Sequence, residues 1–242
     1  MELNKYIDHT NLKAYAKEED IKKLCEEAVE YGFASVCVNP HYVPLAHELL
    51  KDTNVEIDTV VGFPLGANTI ETKVYEAIDC IEKGATEIDM VVNIGALKDH
   101  DYDYVKNEIE EVRDAIDGKV LKVIIETCYL THDEIKEVTK ICNETYVNFI
   151  KTSTGFGTSG AKIEDIDIIN ENKNELLEVK ASGGIKDYHD AIKYIEKGVS
   201  RIGTSNGINI INHRCDCNHN CECGDNCNQH CECNEICECE DK

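Results

Sequence analysis

Eight times over, the sequence alternates between a short apolar run and an amphipathic stretch, and few folds accept that pattern. The apolar runs fall at 6–9, 33–39, 58–63, 87–93, 121–127, a sixth through Val147, Phe149 and Ile150 to Lys151, 178–184 and 201–205. Each is short and rich in Val and Ile, which suits a buried strand. Between them, Ile21, Leu24, Cys25, Ala28 and Val29 recur at the spacing of one helix face, and Gly32 ends that helix. Pro40 opens a helical stretch through Leu50. Val74, Ala77, Ile78 and Ile81 form the next face, then Val105, Ile109, Val112 and Ile116, each closed by a glycine, Gly84 and Gly118. Thr131 and Glu134 have the spacing of a capping box. Ile163, Ile166 and Ile169, then Ala191, Ile192 and Ile195, mark two more helices, and GINIIN a short last one. Strict alternation implies a parallel sheet with helical crossovers. Eight such units in about 210 residues fit a closed (β/α)8 TIM barrel of the α/β class. A doubly wound open sheet is the alternative, but no G-x-G-x-x-G follows the first strand. The barrel is expected over 1–212, with a non-globular cysteine-rich acidic tail over 213–242.

In such a barrel the C-terminal ends of the strands converge on one mouth, where active sites lie. Lys151 stands there, at the end of an apolar strand and before the loop TSTGFGTSGA. Burial disfavours its ammonium form, and a neutral amine can attack a carbonyl to form a Schiff base. The loop exposes backbone N–H groups with few side chains in the way, which suits an anion such as phosphate. A snorkelling lysine beside an ordinary turn is the alternative reading of these residues alone. Asp8 ends the first strand, Asp89 interrupts EIDMVV and Lys180 interrupts EVKASGG. Two acids and two lysines facing inward would offset one another, either as a structural ion-pair network or as catalytic machinery. Adjacent sixth and seventh strands would bring Lys180 near Lys151 and lower its proton affinity, with Asp89 moving protons through water. Further glycine loops, ASGGI and GTSNG, follow the seventh and eighth strands, where barrels often build phosphate sites.

Composition narrows the partners. Asp plus Glu number 48 against 25 Lys plus Arg, a formal charge of −23, which argues against sequence-independent nucleic-acid binding. The start, MELNKYIDHT, lacks an apolar run of signal-peptide type, and no segment reaches membrane-spanning length, so a cytoplasmic protein is expected. His41 and His47 read as surface groups, and Cys37 as a packing residue inside the barrel.

The segments IDHTNLK, SVCVNP, GFPLGA, EIDMVVNIGALK, VIIET, FIKTSTGF, VKASGGI and RIGTS, in this order from about Tyr6 to Ile211, closely resemble the deoxyribose-phosphate aldolase family. The resemblance implies a class I aldolase on a (β/α)8 barrel that interconverts 2-deoxyribose 5-phosphate with acetaldehyde and glyceraldehyde 3-phosphate. It implies Lys151 as the Schiff-base lysine, Lys180 as the second lysine that tunes it and Asp89 as the proton-relay carboxylate. Asp8 and Thr10 match polar residues at the sugar end. Thr154, Gly155, Gly183, Gly184, Gly203 and Ser205 match the substrate and phosphate contacts, while Asn206 stands where a serine is common. The protonated imine is the electron sink, so catalysis is expected to need no cofactor. The partner implied is a small phosphorylated sugar, with no nucleic acid and no membrane, and a homodimer is one assembly open to the chain. The ending after Asn212 matches nothing in the family.

That ending carries nine of the chain's 14 cysteines, Cys215, Cys217, Cys221, Cys223, Cys227, Cys231, Cys233, Cys237 and Cys239, eight of them in C-x-C pairs. With one large aliphatic side chain, Ile236, it cannot build a core. Thiolates at this density suit zinc, cadmium or Cu(I), and a disulfide framework is disfavoured in a reducing cytoplasm. A disordered acidic tail is the alternative. Two rival functions follow: a metal-buffering protein with the barrel as carrier, or a different Schiff-base sugar-phosphate aldolase.

Overall fold

The computed structural model describes residues 2–212. Eight parallel strands close into a barrel in sequence order: β1 (Ile7–Asn11), β2 (Ser35–Val38), β3 (Glu56–Val61), β4 (Glu87–Val91), β5 (Val120–Ile124), β6 (Phe149–Lys151), β7 (Glu178–Ser182) and β8 (Arg201–Thr204), which pairs back to β1. The surrounding helices are α1 (Glu18–Tyr31), α2 (Val43–Leu50), α3 (Ile70–Glu82), α4 (Ile94–Lys98), α5 (Tyr102–Ala115), α6 (His132–Glu144), α7 (Ile163–Asn172), α8 (Tyr188–Glu196) and α9 (Gly207–Asn212). The (β/α)8 expectation holds, and the open-sheet alternative falls because β1 and β8 are hydrogen-bonded neighbours.

The strands have two different faces. Outward residues such as Val36, Ile88, Val123, Val179 and Ile202 are fully buried against the helix ring and form one continuous apolar core. Inward residues are largely charged, because successive side chains on a strand alternate sides. Glu87-Ile88-Asp89-Met90 and Val179-Lys180-Ala181 show this alternation directly in sequence. A small apolar cluster of Leu12, Cys37, Val60 and Phe63 lies apart from the main core.

Several helix signals act as expected. Gly32 ends α1 in the left-handed region at φ 64°, where its N–H reaches the carbonyls of Ala28 and Val29. The Thr131–Glu134 capping box forms, with the Glu134 carboxylate accepting the Thr131 N–H at 2.7 Å. α4 has no counterpart in the sequence reading. At five residues it is too short for periodicity to register, and it forms because the Asn93 side chain accepts the Ala96 N–H at 3.0 Å.

The face of α3 is rotated from the one the apolar pattern picks out. Lys73, Ala77 and Cys80 are buried, whereas Ile78 is 37 % exposed. Lys73 is drawn inward because its ammonium donates to the carbonyls of Gly66 and Val91, both at 2.8 Å, and to Glu108 at 2.5 Å. The other Glu108 oxygen accepts the Asn93 N–H at 2.8 Å. This buried pair staples together the loops that follow β3 and β4.

Candidate active site

Four acids and four bases meet inside the barrel: Asp8 on β1, Asp58 on β3, Glu87 and Asp89 on β4, against Lys122 on β5, Lys151 on β6, Lys180 on β7 and Arg201 on β8. Seven of these side chains are buried and Arg201 is nearly so, so each charge depends on the others for compensation.

Lys180 is the centre of the cluster. Its Nζ lies 2.6 Å from Asp8 Oδ2, 2.8 Å from Asp58 Oδ2 and 2.7 Å from Asp89 Oδ2. Lys151, its register partner on the neighbouring strand, donates to the same Asp89 Oδ2 at 2.7 Å. Lys122 lies below, 2.7 Å from Glu87, 2.9 Å from Asp89 Oδ1 and 3.1 Å from Asp58 Oδ1, in ionic contacts that lie off the hydrogen-bond directions. Arg201 closes the floor: it pairs with Asp8 and, at 3.0 Å, with Glu87, and its guanidinium lies 5.7 Å over the Phe149 ring.

Burial and charge work against one another here. Burial favours neutral Asp89, yet Lys122, Lys151 and Lys180 together hold its carboxyl well below the usual carboxylate range. Burial likewise disfavours the Lys180 ammonium, but Asp58, Asp8 and Asp89 outweigh it and carry Lys180 well above an ordinary lysine. In the resting site Lys180 therefore holds its proton and Asp89 its charge around neutral pH. Asp58 differs: burial first, then the Asp89 charge, push it up to about 6 despite Lys122 and Lys180. Burial, and next the Asp58 charge, drive the Cys37 thiol well above its normal range, in keeping with a packing role.

Cys37, Asp58 and Asp89, and separately Asp8, Asp58 and Glu87, bring ligand atoms within 4.8 Å of one another, as a metal site would. The ammonium nitrogens of Lys122 and Lys180 already lie within 3.1 Å of these carboxylates and fill the position a cation would take.

Above the cluster opens a cavity of about 590 Å³. Of the eight charged lumen groups, Lys151 alone lines it; Asp8, Asp89 and Lys180 lie beneath. Thr10, Thr154, Gly155, Gly183, Gly184, Gly203 and Ser205 are all on its wall around Lys151, whereas Asp8, also expected to bind substrate, is held beneath the wall by Lys180 and Arg201. Two glycines are needed for their backbone. Gly183 and Gly184 have φ of +84° and +85°, and a side chain on Gly183 would meet Gly160 Cα at 2.8 Å. Asn206 also lines the cavity. His9 is on the wall as well, with Nε2 2.8 Å from Glu27, which also lines the cavity.

The sequence reading missed Asp58, Glu87, Lys122 and Arg201, although a lone charge in an apolar strand is the same signal that marked Asp89 and Lys180. It also missed Glu126, for which no signal existed. Glu126 follows β5 with a left-handed backbone (φ 51°, ψ 66°) and is buried. Its carboxylate accepts both the N–H and the hydroxyl of Thr154, whose oxygen in turn accepts the Phe156 N–H at 3.0 Å. The Thr154 hydroxyl proton is thus committed to Glu126, and the turn it anchors sets Phe156 edge-on to Phe63, rings 5.3 Å apart. The nine tail cysteines, Cys215 to Cys239, lie outside the described residues.

Comparison with known proteins agrees with this geometry. The profile of the DeoC/LacD family of aldolases matches residues 3–213. A deoxyribose-phosphate aldolase of Caldanaerobacter subterraneus subsp. tengcongensis is 56 % identical over 214 residues, covering 87 % of this chain and 93 % of the relative. Among solved structures, the aldolase QR15 superposes with a TM-score of 0.83 at 43 % identity, over 86 % of this chain and 93 % of the other. The deoxyribose phosphate aldolase of Aeropyrum pernix, described as tetrameric, superposes with a TM-score of 0.81 at 31 % identity, over 86 % and 89 %.

Proposed function

The chain belongs to the DeoC/LacD family of aldolases, and on that premise we propose that it cleaves 2-deoxyribose 5-phosphate reversibly to acetaldehyde and glyceraldehyde 3-phosphate through an imine on Lys151. One observation carries the assignment of Lys151: it alone of the lumen charges reaches the cavity while its Nζ rests on the network below. As a neutral amine it adds to the substrate's aldehyde carbon, and uptake of one proton with loss of water gives the iminium. The iminium draws in the electron pair of the neighbouring carbon–carbon bond as the distal hydroxyl gives up its proton and becomes the new aldehyde. The enamine left on Lys151 is then protonated on carbon, and water releases acetaldehyde. Asp89, with one oxygen on both lysines, is the group placed to pass protons at Lys151, and Lys180 supplies a fixed positive charge beside it. The chemistry draws its electron sink from the imine and asks for no cofactor. Incubation with acetaldehyde and borohydride, then peptide mapping, should place the reduced adduct on Lys151. An adduct on Lys180, or none, would reject the assignment.

The phosphate end is assigned to the backbone of Gly155, Gly183, Gly184 and Gly203 with Ser205. Ser205 offers the cleaner test, because Gly183 and Gly184 sit at φ +84° and +85°, where any side chain strains the backbone. Ser205→Ala should raise KM for deoxyribose 5-phosphate roughly tenfold, the scale of losing one charge-assisted hydrogen bond. Unphosphorylated deoxyribose should be affected far less. Equal loss on both substrates would point to a folding defect.

The family match ends at residue 213, and the relatives it identifies are nearly spanned by the barrel alone. The tail from Cys215 is accordingly assigned to soft-metal binding separate from catalysis, on the density of its thiols. Truncation after Asn212 should leave turnover and Tm unchanged and abolish uptake of zinc or cadmium by the reduced protein. Lost turnover would show that the tail serves the active site, and no uptake by the full chain would leave it without this role. A reducing cytoplasm is the compartment we infer, a reading supported by the five free cysteines among the described residues, four of them buried.

A further inference from the structure

Asp58 is a buried carboxylate that the aldolase reaction, as derived above, does not use. Its two oxygens touch two different cations, Lys180 at 2.8 Å and Lys122 at 3.1 Å. Both of those lysines also touch Asp89, on which Lys151 rests. Asp58 is therefore one cation removed, along two routes, from Asp89, the carboxylate on which the reacting amine rests. The other groups facing it are Cys37, its register partner on β2, and Glu87, its partner on β4. Asp8 on β1 shares Lys180 with it, and Arg201 on β8 reaches the cluster through Asp8 and Glu87. The lumen holds four acids and four bases, so Asp58 is the last negative charge needed to bring the cluster to neutrality.

We propose that Asp58 is a positioning residue that anchors Lys180 and, by completing the charge balance of the lumen, sets the lower pH limit of imine formation. The proposal rests on Lys151 being the imine-forming lysine. With Asp58 ionised, the cluster is balanced and tolerates every one of its amines in the protonated state. With Asp58 neutral, the cluster carries one excess positive charge, and an excess cation disfavours protonated amines nearby. The free amine that attacks the aldehyde is then reached at lower pH. Asp58 has the lability such a role needs, since burial and Asp89 place its own titration at about 6 rather than in the usual carboxylate range.

Asp58→Asn keeps the shape and an oxygen acceptor for Lys180 and removes the charge. The readout is the rate of borohydride trapping with acetaldehyde between pH 5 and pH 10, in the full-length protein. The half-maximal pH should fall by about one unit in the variant, the low end of what a nearby opposite charge imposes, because two groups stand between Asp58 and Lys151. Around neutral pH this is a trapping rate up to about tenfold higher than wild type. The two profiles should converge below about pH 6, where wild-type Asp58 is itself protonated, and again at high pH, where the amine is free in both. A structural defect alone would lower the rate across the whole range. A half-maximal pH that stays put or rises overturns the proposal. If Asp58→Asn fails to fold, Asp58→Ser removes the same charge and must show the same shift. Wild-type trapping that maps away from Lys151 defeats the aldolase assignment of that residue, whereas trapping on Lys151 with no shift in the variant defeats the role of Asp58 alone.

Discussion

Lys151→Arg should abolish borohydride trapping by acetaldehyde and cut turnover on the order of 10⁴-fold or more, the scale on which losing a covalent nucleophile registers. The reason is chemical rather than structural. A guanidinium stays protonated at any pH the fold survives, so it offers no lone pair to a carbonyl. It does keep the positive charge that pairs with Asp89, and the larger head group has the cavity above the strand to occupy. The lumen stays balanced at four acids and four bases, and Tm should change little. The measurement is single-turnover trapping beside a thermal melt. Retained trapping in the variant would move the nucleophile elsewhere, and Lys180 is the residue whose peptide should then be searched. Its three carboxylate contacts make it a poor nucleophile, because burial alone would free the amine but Asp58, Asp8 and Asp89 hold the proton on it.

Lys180→Leu should have two large effects of known sign. It takes one contact from each of Asp8, Asp58 and Asp89. Arg201 still meets Asp8, and Lys122 and Lys151 still meet the others, but four acids now face three bases in a sealed lumen. Breaking a buried pair in this way costs about 3–5 kcal/mol of stability at neutral pH. In the wild type, Asp89 and Asp8 are held below their unfolded values, so their contribution is present above the unfolded pKa and lost as pH falls through the folded one. The variant has lost much of that contribution already. Its deficit in denaturant melts should therefore hold from about pH 8 down to about pH 4 and shrink only below that, where the wild type loses the same contribution. The excess negative charge also favours protonated amines, so whatever imine formation survives should need a higher pH, opposite in direction to Asp58→Asn. A pH profile that matches wild type would mean that Lys180 does not act on Lys151 through charge.

Much of this site was legible in the sequence because strand geometry is simple. A side chain at every second position points into a barrel, so a single Asp or Lys in a run of Val and Ile has nowhere to go but the lumen. Asp89 and Lys180 were read that way, and Asp58 and Lys122 satisfy the same rule. Both lie just outside the motifs that carry the resemblance, which begin at Gly62 and Val123. Lys73 defeated the periodicity argument for a different reason. Its stem is apolar enough to sit on a buried helix face, and only the facing Glu108 and two carbonyls from other loops make its ammonium acceptable there. Glu126 could not be found at all, because its left-handed backbone and its hold on Thr154 depend on where the loop after β6 arrives.

The sequence by itself determined the eightfold alternation, the order of the elements and the placement of a lysine at a strand end beside glycine loops, since period, propensity and glycine placement are local properties of a chain. Pairing was decided only by the tertiary structure. That Lys180 serves three carboxylates at once, that Asp89 joins both lysines through one oxygen, and that Asp58 titrates near 6 all follow from closing the barrel. Closure places charges from seven separate strands within a few ångströms in a medium that screens them poorly, and the strength of a buried charge's interactions depends on that distance and that medium, which no stretch of sequence encodes alone.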